Sequence, residues 1–264
     1  MFRRLINKKT VFLLACCAVV GMLARPATTR KASADDLTGR ELLSVTRVAM
    51  GGTDYRNMQY VTASGSGFVN AMAFTSVGAT SLMGAVEVKV NVTDYQNRSL
   101  QRRLDVSPTG AMAMGGPTFL VYTGTSGGGM VLGNEIRVSE LAASRHWGMM
   151  GFNTLNRAIE GSLMTVRQPD QAGNYVVEVK FNPQDTVRYY IDKNTFLISK
   201  VTSRYNSTPL IEEVRSDYRR AGCMMLPFHV ETKLAGQRLA DIWISNFDLT
   251  TAVPEARFTM SVNP

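Results

Sequence analysis

The sequence is poor in cysteine, histidine and tryptophan. Its 264 residues include three cysteines, two histidines and two tryptophans. Cys16 and Cys17 sit side by side near the N-terminus, so residues 35–264 retain only Cys223. One cysteine closes no intramolecular bridge, and a segment of about 230 residues can bury enough apolar surface without one. His146 and His229 stand far apart with no cysteine beside them, which excludes the ligand spacing of a structural zinc site. Long apolar runs are lacking too. Val11 to Leu23 stops well short of the roughly 18 residues expected of a membrane-spanning helix. The net charge of +8 is equally local. Seven of the 29 Lys and Arg lie in residues 1–34 and none of the 21 acids does, so residues 35–264 carry 22 basic and 21 acidic side chains. The body of the chain is nearly neutral, which removes the basic footprint of a nucleic-acid-binding protein.

What the N-terminus does have is the form of a secretory signal. Arg3, Arg4, Lys8 and Lys9 precede the apolar run, and Ala32-Ser33-Ala34 has the small-x-small pattern of a cleavage site. The expected organisation is a signal peptide over residues 1–34 and one domain over 35–264, with Asp35 first after cleavage. Two alternatives are an uncleaved anchor and acylation at Cys16, where Leu13-Leu14-Ala15-Cys16 resembles a lipobox.

Thr38-Gly39-Arg40-Glu41 is a capping box. Leu42, Val45 and Ala49, with Leu43 and Met50, form an apolar stripe at helical spacing, and Gly51-Gly52 supplies the stop. The spacing predicts a short amphipathic helix over 39–50. Strands are expected at about 57–63, 67–75, 84–94 and 97–106, with Gly65 and Gly67 as turn positions. Val86, Val88, Val90 and Val92 alternate with Glu87, Lys89 and Asn91, the clearest strand of this half. Thr118 to Thr123 reads as a short strand and Gly124 to Gly133 as a flexible glycine-rich loop. Residues 139–161 read as the main helical interruption, with Trp147, Met149, Met150, Leu155 and Ile159 on its apolar side. Leu163 to Arg167 returns to strand.

From Tyr175 onward, alternation is broken only by short polar or glycine turns, which gives six antiparallel strands in one meander. Phe196 and Ile198 oppose Leu197 and Val201, and Ile242 and Ile244 oppose Trp243 and Phe247. Both faces of these strands therefore read as apolar. A buried sandwich and a half-barrel with an apolar cavity satisfy that pattern equally.

The same stretch carries Arg188-Tyr189-Tyr190-Ile191-Asp192, Asp217-Tyr218-Arg219, Leu226-Pro227-Phe228, Asn246-Phe247 and a last Phe258. In these words and their spacing, residues 39–70 and 175–258 resemble periplasmic outer-membrane lipoprotein-sorting (LolA-like) proteins. The N-terminal helix, Gly-Gly and first strand resemble the family as well. The resemblance implies an unclosed half-barrel: one strongly curved antiparallel sheet, here of about nine to eleven strands, with two or three short helices covering a concave face that holds acyl chains.

Catalytic patterns are weak. Gly124-Thr125-Ser126-Gly127-Gly128 fits G-x-S-x-G, but that motif needs a helix after the serine, and Gly129 to Gly133 is a poor helix former. Glu212 and Glu213 point to opposite faces of a strand and cannot share a proton; Arg215 or Arg188 is the simpler partner for such carboxylates. His229 alternates with Phe228 and Val230 and belongs on a polar face. The thirteen methionines after residue 34 are mostly core material. The leading expectation is thus a non-enzymatic periplasmic carrier, without cofactor or metal, that binds lipidated protein or lipid acyl chains and works as a monomer. Its cavity residues are expected to be Tyr175, Val177, Tyr189, Ile191, Val230 and Ile242, with Trp147 and Met150 above them. The alternative is an envelope sensory or structural module of the same fold that binds a protein partner, such as an envelope membrane protein.

Overall fold

The computed structural model describes residues 34–70, 87–99, 101–110, 116–123, 127–131, 133–138, 151–152, 154–183, 185–205 and 210–259. The chain divides into two compact units, Met1–Leu37 and Thr38–Pro264. The sheet lies in the second. Residues 1–33 of the expected signal segment, with Cys16, and also His146, Trp147, Met149 and Met150 lie outside the described residues.

One antiparallel sheet of thirteen strands dominates: β1 Tyr60–Asn70, β2 Glu87–Asn97, β3 Arg102–Pro108, β4 Thr118–Tyr122, β5 Gly127–Val131, β6 Asn134–Val138, β7 Met164–Gln171, β8 Asn174–Asn182, β9 Asp185–Asp192, β10 Ile198–Tyr205, β11 Ile211–Ala221, β12 Met224–Leu234 and β13 Gln237–Asp248. Their spatial order is β6-β5-β4-β3-β2-β1-β13-β12-β11-β10-β9-β8-β7. Two meanders thus walk away from a shared centre, where the last strand returns to pair with the first. β6 and β7 form the two edges and do not pair, so the sheet stays open.

The C-terminal meander matches its sequence pattern strand for strand. The N-terminal half departs from it in several places. Residues 60–70 form one strand instead of two, with Gly65 and Gly67 inside it. A Cβ at Gly65 would run into the Trp243 carbonyl and lie 2.9 Å from Ile244 Cα; one at Gly67 would run into the Asp241 carbonyl. These glycines permit β1 and β13 to approach closely at a crease in the sheet, which is a strand role for glycine and not a turn. The segment Gly127–Val131, expected to be a loop, is strand β5, paired on both sides with β4 and β6.

Three short helices, α1 Gly39–Ala49, α2 Thr53–Asn57 and α3 Thr154–Glu160, accompany the sheet. The capping box of α1 is formed: Thr38 N donates to Glu41 Oε2 at 2.8 Å and Glu41 N to Thr38 Oγ1 at 3.3 Å. Buried Leu42 and Leu43 supply its apolar side, and α1 packs chiefly on α3, β7 and β8. Its first residue lies against Val177, which identifies the inner, helix-covered face. A single row on that face runs Val177, Tyr189, Val201, Glu213, Thr232, Ala240, Val69, Val88 across eight strands.

The outer face is polar over most of its width. At β2 to β4 the C-terminal segment covers it: Phe258 and Val253 are buried, and Arg103, stacked 4.1 Å from the Phe119 ring centre, donates to the Arg257 carbonyl at 3.3 Å. The late strands are therefore mainly apolar on the inner face, although β8 and β9 also bury Val176 and Tyr190 on the outer one. Phe196 and Leu197 lie in the turn before β10, with Phe196 stacked on Tyr175. Phe247 shares the inner face with Ile244 and Ile242, because one extra residue in β13 opposite Ser64/Gly65 shifts the alternation.

Candidate functional site

The inner face has two portions. Under the helices, Tyr175, Val177, Tyr189 and Ile191 are fully enclosed together with Leu42, Leu43, Leu155 and Ile159. Here the sheet is sealed by specific polar contacts. Segment 151–152 is anchored by the Phe152 amide, which donates to Gln96 Oε1 at 2.8 Å, and by the Tyr55 hydroxyl, which donates to the Phe152 carbonyl. Asn156 Nδ2 donates to the Tyr55 carbonyl at 3.0 Å. Phe152 meets Phe247 edge to face at 5.4 Å, and Phe247 meets Phe228 at 5.2 Å.

Two ion pairs sit in the same region. Asp94 accepts from Arg102 at 2.7 Å, and Glu213 from Arg215 at 2.7 Å. Burial pulls the Arg215 guanidinium towards neutrality, but the charge and hydrogen bond of Glu213 together with Tyr218 and Tyr55 outweigh that and raise its pKa. Burial likewise pushes the Tyr55 and Tyr218 hydroxyls above the usual tyrosine range. Arg215, expected as a cross-strand partner of these carboxylates, pairs with Glu213 two residues away on the same strand. Glu212, on the other face, pairs with Lys200 at 3.3 Å, and Arg188 pairs with Glu178 at 2.9 Å.

Beyond the helices, at the far ends of β1, β2, β3 and β13, the inner face becomes purely aliphatic. Val69, Val88, Val90, Val92 and Val106 form one cluster, with half-buried Leu104, Ala240 and Ile242 against it. Val230 stands directly opposite Ile242. Among the described residues, no group of three or more His, Cys, Asp or Glu is placed to hold a metal ion. Gly127 and Gly128 lie in a strand where the nucleophile motif would need a helix, and Ser126 is outside the described residues.

All six described residues of the expected cavity share the inner face, but they separate within it. Tyr175, Val177, Tyr189 and Ile191 are core beneath the helices. Val230 and Ile242 border the aliphatic portion. The valines of β2 and their neighbours Val69 and Val106 were not singled out as site residues. The Val88-Val90-Val92 alternation was the available signal; which face it turned to was not.

By sequence alone the chain matches neither a family profile nor a curated protein. Its structure does match solved ones. A LolA superfamily protein from Nitrosomonas europaea superposes with a TM-score of 0.54 at 12% identity, over 84% of this chain and 98% of that one. The chain has the LolA-like fold. A structure from Vibrio parahaemolyticus, described as an outer membrane lipoprotein-sorting protein domain, superposes with a TM-score of 0.50 at 10% identity, over 83% of this chain and 95% of that one. At these identities the likeness is one of architecture: the open sheet and helix-covered inner face. The LolA-like fold places the aliphatic cluster and the buried ion pairs on that same face.

Proposed function

We propose that the protein is a non-enzymatic carrier of lipid acyl chains or lipidated protein, exported to the periplasm. The observation that carries this reading is the aliphatic portion of the inner face: five buried valines bordered by half-buried Leu104, Ala240 and Ile242. Each methylene moved from water onto such a surface gains about 0.8 kcal/mol. Binding then needs no catalytic group and few polar contacts. The buried ion pairs have a different role, since each is already satisfied within the sheet. Export rests on the basic start, apolar run and Ala32-Ser33-Ala34 pattern. No helix among the described residues is long and apolar enough to cross a membrane.

A carboxylate at Ile242 is costly because the residues opposite it are Gly67 and Val230, and one at Val230 would stand opposite Arg215, which is already paired with Glu213. In the test, protein recovered from the periplasm, expected to begin at Asp35, is offered a fluorescent fatty acid and a lipopeptide. Wild type is expected to take up both. Ile242→Glu and Val230→Glu, made separately and shown to be folded by circular dichroism, are expected to lose uptake. Absence of uptake by wild type, or unchanged uptake by both variants, would overturn the carrier reading.

A further inference from the structure

The outer face holds a group of side chains that a carrier of acyl chains does not use. β11, β12 and β13 lie next to one another there. Ser216 stands directly opposite His229, and His229 directly opposite Trp243. Asp241 lies two residues before Trp243 and so shares its face of β13. Ser216, His229 and Asp241 are all half-buried. Their neighbours hold them in place, and solvent still reaches them.

Their hydrogen bonds form one chain. Ser216 Oγ is 2.8 Å from His229 Nδ1, and His229 Nε2 is 2.6 Å from Asp241 Oδ1. A carboxylate only accepts, so Nε2 carries the proton donated to Asp241. In the neutral ring Nδ1 is then the acceptor for the Ser216 hydroxyl. The other carboxylate oxygen, Asp241 Oδ2, accepts from Arg238 Nη1 at 3.1 Å, which fixes the carboxylate in turn. The imidazole is backed by the Trp243 indole, with centroids 4.0 Å apart and planes 13° from parallel. The ring therefore has little freedom to turn away from the serine. A hydroxyl bonded to a base that a carboxylate orients is the arrangement that activates serine for attack. In serine proteases Nε2 meets the serine and Nδ1 the aspartate; here the two nitrogens are exchanged. The chemistry is the same: one nitrogen takes the serine proton while the other keeps its bond to the carboxylate.

The sheet also limits what this serine can attack. Backbone N–H groups in a ladder point along the sheet to the next strand, so they do not aim at a charge forming above Ser216. A tetrahedral intermediate lacks their stabilisation, which excludes ordinary esters and amides as donors. A donor with a good leaving group, such as a thioester or an aryl ester, needs less help. We infer that Ser216 is a nucleophile that accepts one acyl group from an activated acyl donor, with His229 as general base and Asp241 as positioning residue. The bond between Ser216 Oγ and the carbonyl carbon forms, and the bond from that carbon to sulfur or aryl oxygen breaks. The serine proton passes to His229 Nδ1 and then to the leaving thiolate or phenolate. The products are an acyl-serine and a free thiol or phenol. The alkyl ester so formed is a poorer electrophile than its donor, so it persists: the event is a single acylation and not turnover.

The test treats the whole exported protein with p-nitrophenyl acetate and, separately, with a fluorophosphonate probe, and follows adducts by intact-protein and peptide mass spectrometry. One adduct on Ser216 is expected from each. Ser216→Ala, shown to be folded by circular dichroism, is expected to form none at this position. His229→Gln is expected to react about a hundredfold more slowly, as loss of a general base does. Asp241→Asn should slow the reaction as well, and Asp241→Glu, which restores a carboxylate, should recover part of the rate. All these variants should take up the fluorescent fatty acid as wild type does, so this result stands or falls separately from the carrier function. The inference is overturned if wild type is modified by neither probe, if the adducts lie only on other residues, or if His229→Gln reacts as fast as wild type.

Discussion

Single residues set the shape of the sheet and the direction of its faces. Gly65 and Gly67 allow the close approach of β1 and β13, and the residue inserted in β13 turns Phe247 inward to meet Phe152 and Phe228. Neither effect is legible from alternation, because both depend on which strand lies alongside. Asp248 ends β13 by capping the next turn. Hydrogen bonds from the Thr251 side chain and from the amides of Thr251 and Thr250 hold its carboxyl well below the usual range. A carboxyl whose folded pKa is depressed stabilises the fold above its unfolded value of about 4 and loses that contribution as the pH falls through the folded value. Asp248→Asn is therefore expected to lower the urea midpoint at neutral pH. The gap from wild type should shrink progressively in acid below about pH 4, because the unfolded chain then takes up a proton that the folded carboxyl still refuses. A gap that is constant from neutral to acid pH would refute this role.

At the scale of elements, sequence was most informative where both ends of an element were marked. The helix α1 is bounded by its capping box and by Gly51-Gly52, and it forms where the pattern places it. Hydrogen bonds from Thr38 hold the Glu41 carboxyl below its ordinary pKa, so the box works in its charged form. Thr38→Ala is expected to destabilise the domain by about 1 kcal/mol, read as a lower denaturation midpoint with unchanged slope; no shift would mean that α1 is not docked on β7 and β8. Strand β5 shows the opposite case. Gly127, Gly128 and Gly129 have no side chains to pack and no alternation to read. They become a strand because β4 and β6 satisfy their backbone groups from both sides.

For the whole molecule, the decisive contact joins the first strand to the last. β13 pairs with β1 and turns two separate meanders into one sheet of thirteen strands. The centre of the sheet is thus built from its first and last strands, and β6 and β7 are its edges among the described residues. Exchange protection follows how fully a backbone group is paired and buried. In native-state hydrogen exchange, amides of β1, β2, β12 and β13 are expected to be the slowest, and the outward amides of β6 and β7 the fastest. Equal exchange across the sheet would show that the central pairing does not dominate its stability.

The sequence by itself determined an antiparallel β protein with one capped helix, a nearly neutral body, no disulfide within residues 35–264, and words resembling the LolA-like family. Those features are local: each is written in charge, cysteine count or a period-two pattern within a few residues. Tertiary structure decided the rest. Alternation says which residues share a face but not which face turns inward, so Tyr175 and Ile242 could be grouped but not separated into sealed core and open rim. It also left a sandwich and a half-barrel equivalent. The pairing of β13 with β1, a contact between the two ends of the domain, resolved that choice: the sheet curves upon itself at Gly65 and Gly67, three short helices cover part of its inner side, and the outer side remains polar around Trp243.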